Sequence, residues 1–145
     1  MKLSYKSDHT VLDTVNEIKR LINTYADDMI GFKDMNTLDF YNWLSKFPYR
    51  KDPDYIEYVM RPSLIIERGS CDCDEKTILA LSWGKCKGLH GGLSIVTKKA
   101  IDPFSHVFPF FYLTDGKRQD FDATYDHFKI TDKRPFGKRV DFEVI

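Results

Sequence analysis

Gly69-Ser70-Cys71-Asp72-Cys73-Asp74-Glu75-Lys76 runs without a break into the apolar positions Ile78, Leu79, Leu81 and Trp83. Asp72 and Glu75 are spaced as a capping box, so a helix is predicted with Asp72 as its N-cap and Cys73 as its first residue. Free backbone N–H groups and the positive end of the helix dipole would then face the Cys73 sulfur and favour thiolate. Cys71 lies outside that helix and receives less of this. Gly88 and the Gly91-Gly92 pair are stop signals, which puts the helix end between Gly84 and Gly88.

Downstream, Leu93 to Thr97, Ser105 to Leu113 and Lys117 to about Thr124 read as strands. Thr114-Asp115-Gly116 lies between the last two as a hairpin turn. Two registers are open. A two-residue Asp115-Gly116 loop pairs Thr114 with Lys117 and turns Asp122 away from the face of His106. A three-residue loop with Gly116 left-handed pairs Leu113 with Lys117 and sets Asp122 opposite Phe108. Phe108 shares a face with His106, so Asp122 then becomes its diagonal neighbour, within roughly 8 Å between backbones. Pro109 has no backbone donor, which suggests an edge position or a bulge. Val140, Phe142 and Val144 alternate as a C-terminal strand would.

Upstream, Val11, Val15, Ile18, Leu21, Ile22 and Tyr25 fall at helical spacing over Thr10 to about Asp27, and Thr10 with Asp13 has the form of a capping box. A second helix is predicted from Asn36 to Phe47, with Leu38, Phe40, Tyr41, Trp43 and Leu44. The segment Pro48-Tyr49-Arg50-Lys51-Asp52-Pro53-Asp54 breaks it. Pro62 opens a short helical turn that holds Leu64, Ile65 and Ile66. These elements read as packing layers without chemistry of their own. The fold class is therefore α+β: N-terminal helices, one central helix with a cysteine at its start, and an antiparallel sheet packed on that helix.

The 145 residues are of single-domain size, and 42% hydrophobic and 14% aromatic residues supply a sizeable core. The division is a helical layer over 1–50, a core over 52–125, and a C-terminal strand and tail over 126–145. With 22 basic against 22 acidic side chains, neither nucleic acid nor an anionic membrane is expected as partner, since both call for a basic surplus. No apolar run approaches the roughly 18 residues of a membrane span, and Met1 to Thr10 has no signal-peptide core. Three cysteines make a poor disulfide framework, so a reducing, cytoplasmic compartment is expected.

A nucleophilic thiol needs help to ionise, a base to take its proton, and a group to orient that base. Cys73, His106 and Asp122 are the candidates for these roles. Zinc is the competing chemistry, because Cys71, Cys73, Cys86 and His90 are the right ligand types. A helix from Cys73 to Cys86 would hold those sulfurs roughly 20 Å apart at about 1.5 Å per residue, so no metal and no cofactor is expected. Cys86 then reads as a buried apolar residue. His9, His90 and His127 have no partner pattern. The basic run from Lys129 to Arg139 reads as a solvated face.

From Asp52 to Tyr125 the chain also resembles the transglutaminase-like superfamily of papain-like cysteine enzymes, particularly its short bacterial and phage members. Pro62 with Leu64, Ile65 and Ile66, the Cys73 block, His106-Val107-Phe108, the Asp-Gly hairpin and Asp122-Ala123-Thr124-Tyr125 carry the likeness. The family's usual pattern is Gly-Asp-Cys-Asp-Asp, then His-Val-aromatic, then Asp-Pro-Thr. Two substitutions depart from it: Cys71 stands where glycine is usual, and Ala123 where proline is. The resemblance implies a papain-like core with Cys73 as nucleophile, His106 as general base and acid, and Asp122 as the orienting carboxylate. It implies acyl transfer on a protein, peptide or other amide substrate through a thioester. With no calcium loop visible, the balance tilts toward a peptidase or amidase over a cross-linker. A side-chain oxyanion donor is also usual in the class, and Tyr49, Trp43 and Asn42 are the residues available. The family includes inactive forms, so the alternative is a structural or interaction module, for instance in a phage particle.

Overall fold

The computed structural model describes residues 11–50, 60–125, 129–132 and 135–145. The chain is α+β. Helices α1 (Val11–Tyr25), α2 (Thr37–Ser45), α3 (Pro62–Arg68) and α4 (Cys73–Lys87) precede the strands β1 (Gly91–Val96), β2 (His106–Tyr112), β3 (Arg118–Asp120) and β4 (Arg139–Glu143). No helix among the described residues is long and apolar enough to cross a membrane. Thr10, the expected cap of α1, lies outside the described residues, as do His9, Asp52, His127, Lys133 and Arg134.

Helix α1 buries Val15, Ile18, Leu21 and Ile22, the stripe its spacing predicts. It stops two residues early, at Tyr25, where the chain tightens into a 3-10 segment, Ala26–Phe32. Side chains of α4 take up carbonyls at both ends of that segment. Trp83 Nε1 donates to Phe32 O at 3.0 Å, and Cys86 Sγ to Ala26 O at 3.2 Å. Cys86 is thus a half-buried hydrogen-bond donor and not the buried apolar residue expected. Asn36 caps α2 by accepting from the Asp39 N–H at 2.8 Å, and α3 begins with Pro62 at its first turn.

Helix α4 is the centre of the molecule. Every residue from Cys73 to Gly84 is buried, so the helix has no solvent face along most of its length. Phe40 stacks on Trp83 with ring centroids 4.2 Å apart, and Phe111 meets Trp83 edge-on at 6.1 Å. Phe121 packs edge-on against Tyr41 at 5.1 Å and Phe111 at 5.3 Å, joining helices to sheet. Gly84 lets α4 approach β2, because a Cβ there would fall 2.3 Å from the Phe111 ring.

The four strands are antiparallel in the order β3-β2-β1-β4. Phe110 pairs with Asp120 and Tyr112 with Arg118, and the Leu113 N–H donates to Lys117 O at 2.7 Å. This is the three-residue loop register, with Gly116 left-handed at φ 83°. The third strand is shorter than the span from Lys117 to Thr124. Pro109 also sits differently from the expectation of an edge or bulge: β2 is an interior strand, and Pro109 pairs with Leu93. In an antiparallel ladder a residue's N–H and C=O point to the same neighbour. The Pro109 carbonyl accepts from the Phe121 N–H at 2.9 Å, so the missing donor falls on the β3 side. The ladder stops one residue earlier, at Asp120, and Asp122 leaves the sheet.

Candidate active site

Asp72 caps α4 as its spacing requires. Its Oδ1 accepts from the N–H groups of Asp74 at 3.1 Å and Glu75 at 3.2 Å, while Glu75 Oε1 accepts from the Asp72 N–H at 3.3 Å. Arg68 at the end of α3 pairs with the same Glu75 oxygen and donates from Nε to Ser70 O at 2.9 Å. The box is therefore braced from outside the helix. Cys73 takes the first helical position, where the backbone N–H has no partner within the helix. Its side chain is 2% exposed, and Sγ lies 3.7 Å from Asp74 Oδ1, a long thiol contact.

His106 opens β2 and keeps about a quarter of its side chain exposed. Its Nε2–H donates to Asp122 Oδ2 at 2.8 Å, the diagonal contact that the hairpin register allows. That leaves Nδ1 as the nitrogen available to a thiol. Burial works against a charged imidazole here. Hydrogen bonds to Asp122 and Cys73, and the charges of both, outweigh it and push His106 from 6.5 to about 10. Cys73 and Asp122 thus act on the same ring.

Asp122 is held on every side. Its Oδ1 accepts from Thr124, both the N–H at 3.2 Å and the hydroxyl, and its carbonyl accepts from the Tyr41 hydroxyl at 2.8 Å. Lys76 Nζ donates to the next two carbonyls, Ala123 O at 2.8 Å and Thr124 O at 3.0 Å, and to Ser45 O at 3.4 Å. Tyr41, Lys76 and Thr124 are contributors that sequence reasoning passed over as site residues. Lys76 carried no signal of its own, because Asp74, Glu75, Lys85 and Lys87 stand in the same helix. Thr124 carried one, since aspartate two residues before an N–H favours a local turn.

Of the three upstream side chains considered as oxyanion donors, Tyr49 lies within electrostatic reach of Cys73. Burial pushes its phenol well up, and the charges of Cys73, Asp72, Tyr125 and Asp74 add to this. Its ring lies 5.7 Å from that of Tyr125, and both tyrosines are about two-fifths exposed. Trp43 packs among Phe32, Phe40 and Phe47, and Asn42 is exposed on α2. Cys71 is fully buried, and burial pushes its thiol far up. Its backbone brackets Tyr49: the Cys71 N–H donates to Pro48 O at 2.9 Å, and the Arg50 N–H to Cys71 O at 3.0 Å. Cys86 sits at the other end of α4 from Cys73, and His90 follows it as an exposed residue, so the four possible zinc ligands are not gathered.

A cavity of about 370 Å³ lies at the far end of β2, lined by Leu89, Phe111, Tyr112, Leu113, Gln119 and Phe121 among others. Six residues of strand, about 20 Å, separate Tyr112 from His106, so this cavity is remote from the cysteine. Compared with models of protein families, with curated proteins and with solved structures, the chain matches none.

Proposed function

We propose that this chain transfers acyl groups from an amide or peptide through a thioester on Cys73, and that its α+β fold is a papain-like, transglutaminase-type core. One observation carries the reading. A cysteine at the first position of a capped helix acts on an imidazole whose other nitrogen donates to a carboxylate 2.8 Å away. With His106 pushed up to about 10, the ring is protonated at neutral pH, with Asp122 opposite.

In the proposed reaction the Cys73 thiolate attacks the carbonyl carbon, a C–S bond forms, and the carbonyl electron pair moves to oxygen. The Cys73 N–H meets that oxyanion, and the Tyr49 hydroxyl is the candidate second donor. Collapse breaks the C–N bond, and the imidazolium gives its proton to the departing amine. Water then cleaves the thioester to an acid and restores the thiol; an amine in its place yields a new amide. The competing reading is a non-catalytic module, and the 2% exposure of Cys73 favours it, since a substrate has to reach that sulfur.

The rate of iodoacetamide labelling against pH separates the two. Rapid labelling of Cys73 at neutral pH, slowed in His106→Ala and unchanged in Cys71→Ala, is the expected result. A Cys73 that labels no faster than half-buried Cys86 and ignores His106→Ala would remove the enzymatic reading.

A further inference from the structure

Lys76 is 3% exposed, at the buried start of the central helix. Placing an ammonium there is costly unless its donors are used. Three bonds to backbone carbonyls engage them, and the two shorter, 2.8 and 3.0 Å, grip Ala123 and Thr124, directly after Asp122. Cys73 lies three residues earlier on the same helix, a spacing that puts side chains about 5–6 Å apart on one face. One rigid element therefore carries both the sulfur on one side of His106 and the cation that holds the turn on the other side.

We propose that Lys76 is a positioning residue: its ammonium clamps the Asp122–Thr124 turn to the helix bearing Cys73, and so keeps Asp122 in line with His106. The inference rests on the acyl-transfer reading for its purpose, but its geometry can be tested alone. Without the clamp the two carbonyls turn to water, and Oδ2 loses its fixed place opposite Nε2. Among the described residues, the groups that face His106 are Asp122 from the segment after β3, Cys73 from α4, and the uncharged ring of Phe108, 5.7 Å away in β2. Of the contacts that raise His106, the hydrogen bond to Asp122 is the largest.

The test is an NMR titration of the His106 ring in the wild type, Lys76→Met, Lys76→Arg and Leu79→Ala. The wild-type midpoint is expected near 10. Lys76→Met should lower it by about one to two pH units, the scale of one charged partner. Lys76→Arg, still cationic, should recover part of that. Leu79→Ala opens the core of the same helix and should lower the melting temperature while leaving the midpoint in place. If Lys76→Met does not fold, Lys76→Gln, too short to reach both carbonyls, is read in the same way. A midpoint equal to wild type in the Lys76 variants, however unstable they are, would overturn the proposal. Iodoacetamide labelling of the same samples keeps the two ideas apart. A moved midpoint with an unreactive wild-type Cys73 retains the clamp and removes the acyl transfer; a reactive Cys73 with an unmoved midpoint does the reverse.

Discussion

Both oxygens of Asp122 are engaged, Oδ2 by His106 and Oδ1 by Thr124. An amide in its place offers one acceptor where the carboxylate offers two, so Asp122→Asn must give up one of these partners and loses the charge opposite the ring. We expect His106 to fall toward 6.5 in that variant, and neutral-pH labelling of Cys73 to slow about a hundredfold, as read by mass spectrometry of the alkylated protein. At this scale the sequence was uneven in what it revealed. The place of Cys73 was legible because a capping box is a local device, complete within Asp72 to Glu75. The role of Lys76 was not, since nothing local tells a lysine in a helix whether its ammonium meets water or a distant carbonyl. Cys71 is similar: its backbone pairs with Pro48 and Arg50, more than twenty residues earlier in the chain.

Among elements, the contact between α4 and β2 is the least forgiving. Gly84→Ala would drive a methyl group to 2.3 Å from the Phe111 ring. Phe111 is itself wedged between Trp83 and Phe121 and has little room to yield. A loss of about 1–3 kcal/mol is expected despite the better helix propensity of alanine, measured as a lower urea midpoint. Unchanged or raised stability would mean that the helix and sheet can slide apart. The β2–β3 register was half legible. Asp115-Gly116 announced the turn, and the two possible loop lengths differed in the face given to Asp122. The early end of β3 could not be read, because the missing N–H of Pro109 matters only once it is known which neighbour that residue faces.

Across the whole molecule, ion pairs tie the outer edges of the sheet together. Arg139 on β4 grips Asp120 on β3 with two bonds, 2.7 and 2.9 Å, and holds Asp141 at 2.9 Å, which Arg118 and Ser94 also reach. Those strands are three places apart in the sheet, about 14 Å if it were flat, so the sheet must curl toward this face. Burial of Asp141 is outweighed by Ser94, Arg139 and Arg118, which lower it from 3.8 to about 2, and the Arg61 guanidinium lowers Asp28 to about 2 as well. Both contributions to stability are complete above pH 3.8 and fade as pH falls through 2. His106, raised to about 10, works in the opposite sense: its contribution is complete below 6.5 and is lost as pH rises toward 10. Urea midpoints should therefore be highest between about pH 4 and 6.5, and His106→Gln should flatten the alkaline limb. Function at this scale reduces to one question, whether the intact chain accepts an acyl group on Cys73. Incubation with p-nitrophenyl acetate, followed by intact-mass and peptide mapping, answers it. A single acetyl on Cys73, absent in Cys73→Ala and formed at least about a hundredfold more slowly in His106→Ala, is the expected result. No acetylation, or the same slow labelling of Cys73 and Cys86 with or without His106, would contradict it.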